Sequence, residues 1–145
     1  MGISKKAIIS GKDILDYIPQ RHPIVMVDEF LGIEDNISTS ALTITKDNIF
    51  CKDNELIECG IIEHIAQSAA LRIGYIYKNA GKTIPIGFIG SVNDFTLSGN
   101  AKVDDKIVTE IKVEKEIMNI SLVSALVRNG ENTIAQCAMK IYLQE

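Results

Sequence analysis

Leu56-Ile57-Glu58-Cys59-Gly60-Ile61-Ile62-Glu63-His64-Ile65-Ala66-Gln67-Ser68-Ala69-Ala70-Leu71-Arg72-Ile73-Gly74-Tyr75-Ile76-Tyr77 is the stretch on which the fold turns. It reads as one long helix. Ile61, Ile62, Ile65, Ala66, Ala69, Ala70, Ile73 and Ile76 cover more than one stripe of it, and a helix apolar nearly all round is a buried one. Yet Glu63, His64 and Gln67 sit in its middle, where a carboxylate is costly unless it is paired or has a task. Almost everything after this helix has the pattern of strands. One buried helix in a strand-rich chain implies an α+β fold in which a sheet wraps around the helix.

Upstream, Ser10 to Ile18 reads as a short helix with Ser10 as N-cap and Asp13 three residues on, stopped by Pro19. A polar turn, Gln20-Arg21-His22-Pro23, leads into Ile24-Val25-Met26-Val27, whose β-branched residues predict a buried strand running on to Ile33. Glu34-Asp35-Asn36 is a turn, and Ile37 to Thr45 alternates as the partner strand. Lys46 to Asn54 reads as a polar loop around Ile49-Phe50-Cys51. Downstream, Gly81 ends the helix, and Ile84 to Phe95 is a strand whose glycines permit close approach. Ile107 to Glu114, Ile120 to Val127 and Ile134 to Leu143 then form a three-strand antiparallel meander, with Asn129-Gly130 as its hairpin signal.

Composition narrows the function. The 145 residues suit one domain, 1–145, with 46% hydrophobic and 23% charged residues. A net charge of −4 without a dense Lys/Arg cluster argues against nucleic acid. No run approaches the ~20 apolar residues of a membrane span, and no signal peptide is evident. The three cysteines Cys51, Cys59 and Cys137 form neither a disulfide framework nor zinc spacing, so no metal is expected and a cytoplasmic location is the default.

Three motifs in order carry a resemblance. Pro19-Gln20-Arg21-His22-Pro23-Ile24-Val25-Met26-Val27-Asp28 resembles the P-H-R-x-P-x-x-x-x-D opening of the hotdog-fold 3-hydroxyacyl-[acyl-carrier-protein] dehydratases. Glu63-His64-Ile65-Ala66-Gln67 resembles their helix motif E-x-x-A-Q, and Gly87 through Asp105 resembles their glycine-containing strand and following turn. The Gly87-Phe88 start of that strand is similar to the divergent branch of aryl-polyene and related pigment pathways. The resemblance implies a dimer with sheets joined edge to edge and an acyl tunnel at the interface. It implies no cofactor beyond the phosphopantetheine of acyl carrier protein or coenzyme A that carries the substrate. A histidine before the helix would take the proton α to the thioester, and a carboxylic acid on the helix of the opposite subunit would protonate the departing β-hydroxyl.

Carried over by position, Glu63 matches the catalytic carboxylate, and Gly60, Gln67, Phe50, Gly87 and Phe88 match the substrate-binding surroundings. The histidine does not carry over. The family's G-H-F-P-G loop places phenylalanine directly after it; Phe50 matches that phenylalanine, so Ile49 stands in the histidine's place. His22 is the weaker candidate base, set against a turn histidine bonded near Pro23. His64 is set against a satisfied histidine on the helix flank. Arg21 is expected to pair with a carboxylate rather than with phosphate, Asp28 to hold the early loop, and Gly87 and Gly90 to allow the helix to pack closely on the sheet. Three functions follow: a hydro-lyase of fatty-acid or aryl-polyene-type biosynthesis acting on carrier-bound 3-hydroxyacyl groups, a half-catalytic heterodimer partner of a histidine-bearing paralogue, and a thioesterase using Glu63. The isolated chain is expected to be a homodimer.

Overall fold

A computed structural model describes residues 6–144. Its elements run β1 (Ile9–Ser10), a 3₁₀ helix (Gly11–Asp16), β2 (Glu29–Glu34), β3 (Ile37–Thr43), β4 (Cys51–Lys52), β5 (Glu55–Leu56), α1 (Glu58–Asn79), β6 (Ile86–Leu97), β7 (Lys106–Ile117), β8 (Ile120–Asn129) and β9 (Asn132–Gln144). Seven strands form one antiparallel sheet in the order β1-β2-β3-β7-β8-β9-β6. Alternate residues of the meander point inward: Ile107, Ile111 and Val113 from β7, Val123, Ala125 and Val127 from β8, Ala135, Cys137, Met139 and Ile141 from β9. They meet Ile61, Ile65, Ala69 and Ile73 of α1, so the sheet curls around the helix as its pattern predicts.

The opposite side of α1 is covered by the N-terminal segment. Ile14, Ile18, Val27 and Phe30 pack on Leu71, and Tyr75 lies against Phe30 with ring centroids 4.8 Å apart. Apolar contact on two sides explains why the helix has no broad polar face. Gly74 sets how closely this layer approaches: a Cβ there would lie 2.0 Å from the Tyr17 carbonyl oxygen.

Several local expectations change. The early helix is 3₁₀, and Ser10 makes no side-chain cap bond; it belongs to β1 instead. Ile24 to Val27 joins no strand: the Ile24 N–H closes a turn on the Arg21 carbonyl, and the Ile24 carbonyl and both Met26 backbone groups bond to α1 side chains rather than to a ladder. The loop before α1 contains the small β4–β5 hairpin. Asp53 and Asn54 turn it with φ of 51° and 69°, as Asp35 and Asn36 do between β2 and β3 with 50° and 71°. Two consecutive positive φ values are the signature of type I′ turns, which Asp and Asn tolerate. In the last hairpin Gly130, at φ 64°, and Glu131 are the central residues, so Asn129 ends β8 instead of sitting in the turn. Gly90 faces Tyr142 of β9, not the helix: a Cβ would meet its ring at 2.2 Å.

β6 is the edge of the sheet, twelve residues long, with Ile86, Phe88 and Ile89 exposed on it. A long apolar edge strand is a template for association. Gly74→Ala is expected to destabilise the chain by about 1–3 kcal/mol in denaturant titration, since the clash is with backbone and cannot be relieved by a rotamer. An unchanged midpoint would show that the N-terminal layer is free to move off α1.

Candidate active site

Glu63, Ala66, Ala70 and Ile73 recur at helical spacing and present one face of α1 to a cleft of about 270 Å³. Gly87, Phe88 and Ile89 of β6 and Ile141 and Leu143 of β9 form the facing wall, and Tyr17, Pro19 and Gln20 close one side. The lining is mainly apolar, with Tyr17, Gln20 and Glu63 as its polar side chains, as in a site for an apolar ligand with a few placed polar groups.

Gln67 fixes Glu63. Its Oε1 accepts the Met26 N–H at 2.6 Å, and its Nε2 donates to the Ile24 carbonyl at 2.9 Å and to Glu63 Oε2 at 2.7 Å. All of the amide's polar atoms are engaged, and the backbone partners settle which end is oxygen. Glu63 is half-buried and makes no ion pair among the described residues. One carboxylate oxygen is thus held by an amide, and the other has no hydrogen bond among the described residues. Glu63 is therefore oriented by Gln67 and not spent in a salt bridge.

His64, one residue on, points elsewhere. It is fully buried, with Nδ1 2.7 Å from the Met26 carbonyl and Nε2 2.7 Å from Thr109 Oγ1. A carbonyl only accepts, so Nδ1 carries the proton and Nε2 accepts from the threonine hydroxyl. Burial pushes its pKa down from 6.5 to about 4, against the Met26 bond. Ser68 Oγ donates back to the His64 carbonyl at 2.8 Å. His64 therefore fastens the segment before β2 to α1 and to β7.

His22, the other histidine of the sequence, is exposed and lines a different cleft with Asp28, Thr45 and Asp47. It does not share the cleft of Glu63. Arg21 donates to the carbonyls of Ile18 and Gln20, at 2.8 and 2.7 Å, rather than to a carboxylate. Asp28 does hold the early loop, accepting the Thr43 N–H at 3.0 Å, and burial raises its pKa. Phe50 and Gly60 lie together behind the cleft: a Cβ on Gly60 would be 2.5 Å from Phe50 Cβ, so the glycine lets the loop sit against the first turn of α1. Ile49 is 52% exposed beside it. Burial raises the thiol pKa of Cys51, which argues against a nucleophile there. The structure thus brings together Glu63, Gly87 and Phe88, with Gln67 in support. Sequence reasoning missed Tyr17 and Pro19 as cleft walls; the one available signal was that Pro19 opens the first motif.

The helix inside a curled antiparallel sheet defines a hotdog protein, with a carboxylate on the cleft face of its helix. A family model described as ApeP-like, ApeP dehydratase, matches residues 12–145, and the chain belongs to that family, a dehydratase-like branch of aryl-polyene biosynthesis. Among solved structures, the dehydratase heterocomplex ApeI:P of Xenorhabdus doucetiae superposes with a TM-score of 0.84 at 13% identity, covering 91% of each chain. An uncharacterised protein of Pyrococcus horikoshii gives 0.68 at 14% identity, over 95% of this chain and 96% of that one. A hypothetical thioesterase of Streptococcus pneumoniae, solved with coenzyme A, gives 0.64 at 8% identity, over 80% and 84%. A search of curated sequences finds no match. No helix among the described residues is long and apolar enough to cross a membrane.

The buried His64 predicts acid sensitivity. Its folded pKa lies below its unfolded value, so between about 4 and 6.5 the unfolded chain binds the proton and the folded chain does not. Stability should be fully present above pH 6.5 and fall as pH drops toward 4, by at most about 3 kcal/mol. In His64→Gln, unfolding titrations should show a flatter slope across that window. The same slope in both proteins would mean that His64 is not held neutral.

Proposed function

We propose that this chain supplies the carboxyl group of a two-subunit 3-hydroxyacyl-thioester dehydratase, with the base coming from a histidine-bearing hotdog paralogue. The observation that carries this reading is the cleft itself. It holds Glu63 and no imidazole, because the only two histidines are engaged in the core or lie on another face. Syn or anti elimination of water from a 3-hydroxyacyl thioester needs one group to take the α proton and another to protonate the leaving hydroxyl. Glu63, steadied by Gln67, suits the second task. The first needs a group that Ile49 cannot provide.

The unpaired β6 edge supports a partner there, since Phe88 and Ile89 belong both to that edge and to the cleft wall. A subunit joined at β6 would extend the cleft and cover these side chains. The similarity to ApeI:P, described as a heterocomplex, favours an unlike partner over a second copy of this chain. In such a pair Glu63 faces the partner's histidine, and the reciprocal site, with Ile49 in place of the base, is silent. Acyl carrier protein delivers the substrate on phosphopantetheine, which an apolar cleft with one polar end can accommodate.

The test is dehydration of a 3-hydroxyacyl-carrier-protein by the chain alone and with the paralogue. The chain alone should be inactive, the mixture active, and Glu63→Gln in the mixture slower by on the order of a hundredfold or more. Full activity of the chain alone would overturn the two-subunit reading. Hydrolysis of acyl-coenzyme A by the chain alone, abolished by Glu63→Gln, would replace it with a thioesterase.

A further inference from the structure

The cleft of Glu63 shares part of its wall with another cavity along α1. Ile73 and Leu143, at the far end of that cleft, also line a second cavity of about 280 Å³. Arg72, Tyr77, Lys82, Glu116 and Ser121 bring polar groups to this second space. Arg72 is its central feature. Its Nε is wholly buried and meets no acceptor among the described residues. Exposed Glu116 shares the cavity and its charge favours the guanidinium, but the two form no ion pair. The buried Nε offers a ligand no surface, but a half-buried guanidinium is costly without a partner, and an acceptor entering the cavity would meet its terminal nitrogens.

Two explanations compete: Arg72 is a loosely placed partner for Glu116, or it awaits a ligand. The wall that the two cavities share favours the second. Arg72 follows Glu63 by nine residues, ~13 Å along the helix axis and about half a turn around it, so a ligand reaching from one to the other passes over Ile73 and Leu143. An acyl chain with its thioester end at Glu63, running past Ala66 and Ala70, would arrive at the neck formed by Ile73 and Leu143. Beyond that neck more of the lining side chains can hydrogen-bond, the cations Arg72 and Lys82 among them. We infer that Arg72 is a specificity-determining residue that receives an oxygen acceptor at the far end of an acyl chain whose thioester lies at Glu63. The planar fork of arginine suits an oxygen acceptor, whether carboxylate or hydroxyl. This deepens the proposed function and rests on its placement of the thioester.

Direct binding tests it without requiring turnover. Acyl-pantetheines of equal length ending in carboxylate, hydroxyl or methyl are titrated calorimetrically into the chain. At least one oxygen-ended ligand should bind tenfold or more tightly than the methyl-ended one. Arg72→Met should erase that preference, Arg72→Lys should keep part of it, and Glu116→Gln should strengthen carboxylate binding. Ile73→Phe, which narrows the neck, should weaken long ligands and spare a short one. Which oxygen group wins identifies the end as anionic or neutral. Equal affinity for all three ends, a preference unchanged in folded Arg72→Met or Arg72→Lys, or no binding of long chains overturns the inference. An Arg72-dependent preference in a complex without dehydratase activity would sink the catalytic reading and leave the far-end site standing.

Discussion

The backbone of Met26 is held at both ends of its peptide units by side chains of α1. Gln67 accepts its N–H and His64 donates to its carbonyl. These two bonds anchor the extended segment that leads into β2, and therefore the N-terminal layer that encloses the helix. They also fix the polar groups nearest the cleft. Gln67 turns its remaining donors to Ile24 and Glu63, and His64 reaches across to Thr109 of β7. Helix, sheet and N-terminal segment thus meet at one polar cluster, in which His64 and Gln67 have every side-chain polar atom paired. Such a cluster stabilises only while every member is paired, which is why neutral His64 and a correctly oriented Gln67 matter to the whole fold.

The same cluster separates the carboxyl of the helix from its imidazole. Of two adjacent helix residues, Glu63 faces the cleft and His64 faces the core, about 100° apart around the axis. His64 has no free nitrogen to accept a proton from a ligand, and burial disfavours its charged form. The carboxyl is available and the imidazole is not. On the function proposed above, a carboxyl without a base, beside the open edge of β6, is half of a site.

Much of this was legible in the sequence, for definite reasons. The apolar circumference of α1 announced a helix packed on two sides, and period-two alternation marked the meander. The order of motifs indicated a hotdog dehydratase. What stayed hidden depended on side chains replacing backbone. Ile24 to Val27 looks like a buried strand because it is an apolar run with three β-branched residues, but Ile24 is exposed, and Gln67 and His64 take hydrogen bonds that a neighbouring strand would have made. The β4–β5 hairpin was obscured by its Asp-Asn turn, which lacks the usual glycine. The cleft walls Tyr17 and Pro19 come from a segment distant in sequence, and Gly74, which brings that segment close, looks like an ordinary helix glycine until the Tyr17 carbonyl is placed against it. Arg72 gave no signal at all, because its meaning lies in the cavity it shares with Ile73 and Leu143.

The measurement that bears most directly on the central claim is the number of catalytic sites per pair of unlike subunits. An acetylenic substrate analogue that alkylates the catalytic base after isomerisation can be counted by intact mass. One adduct per pair, carried by the partner subunit's histidine and lost when this chain bears Glu63→Gln, is the predicted result. Two adducts per pair, or an adduct on this chain, would contradict the account.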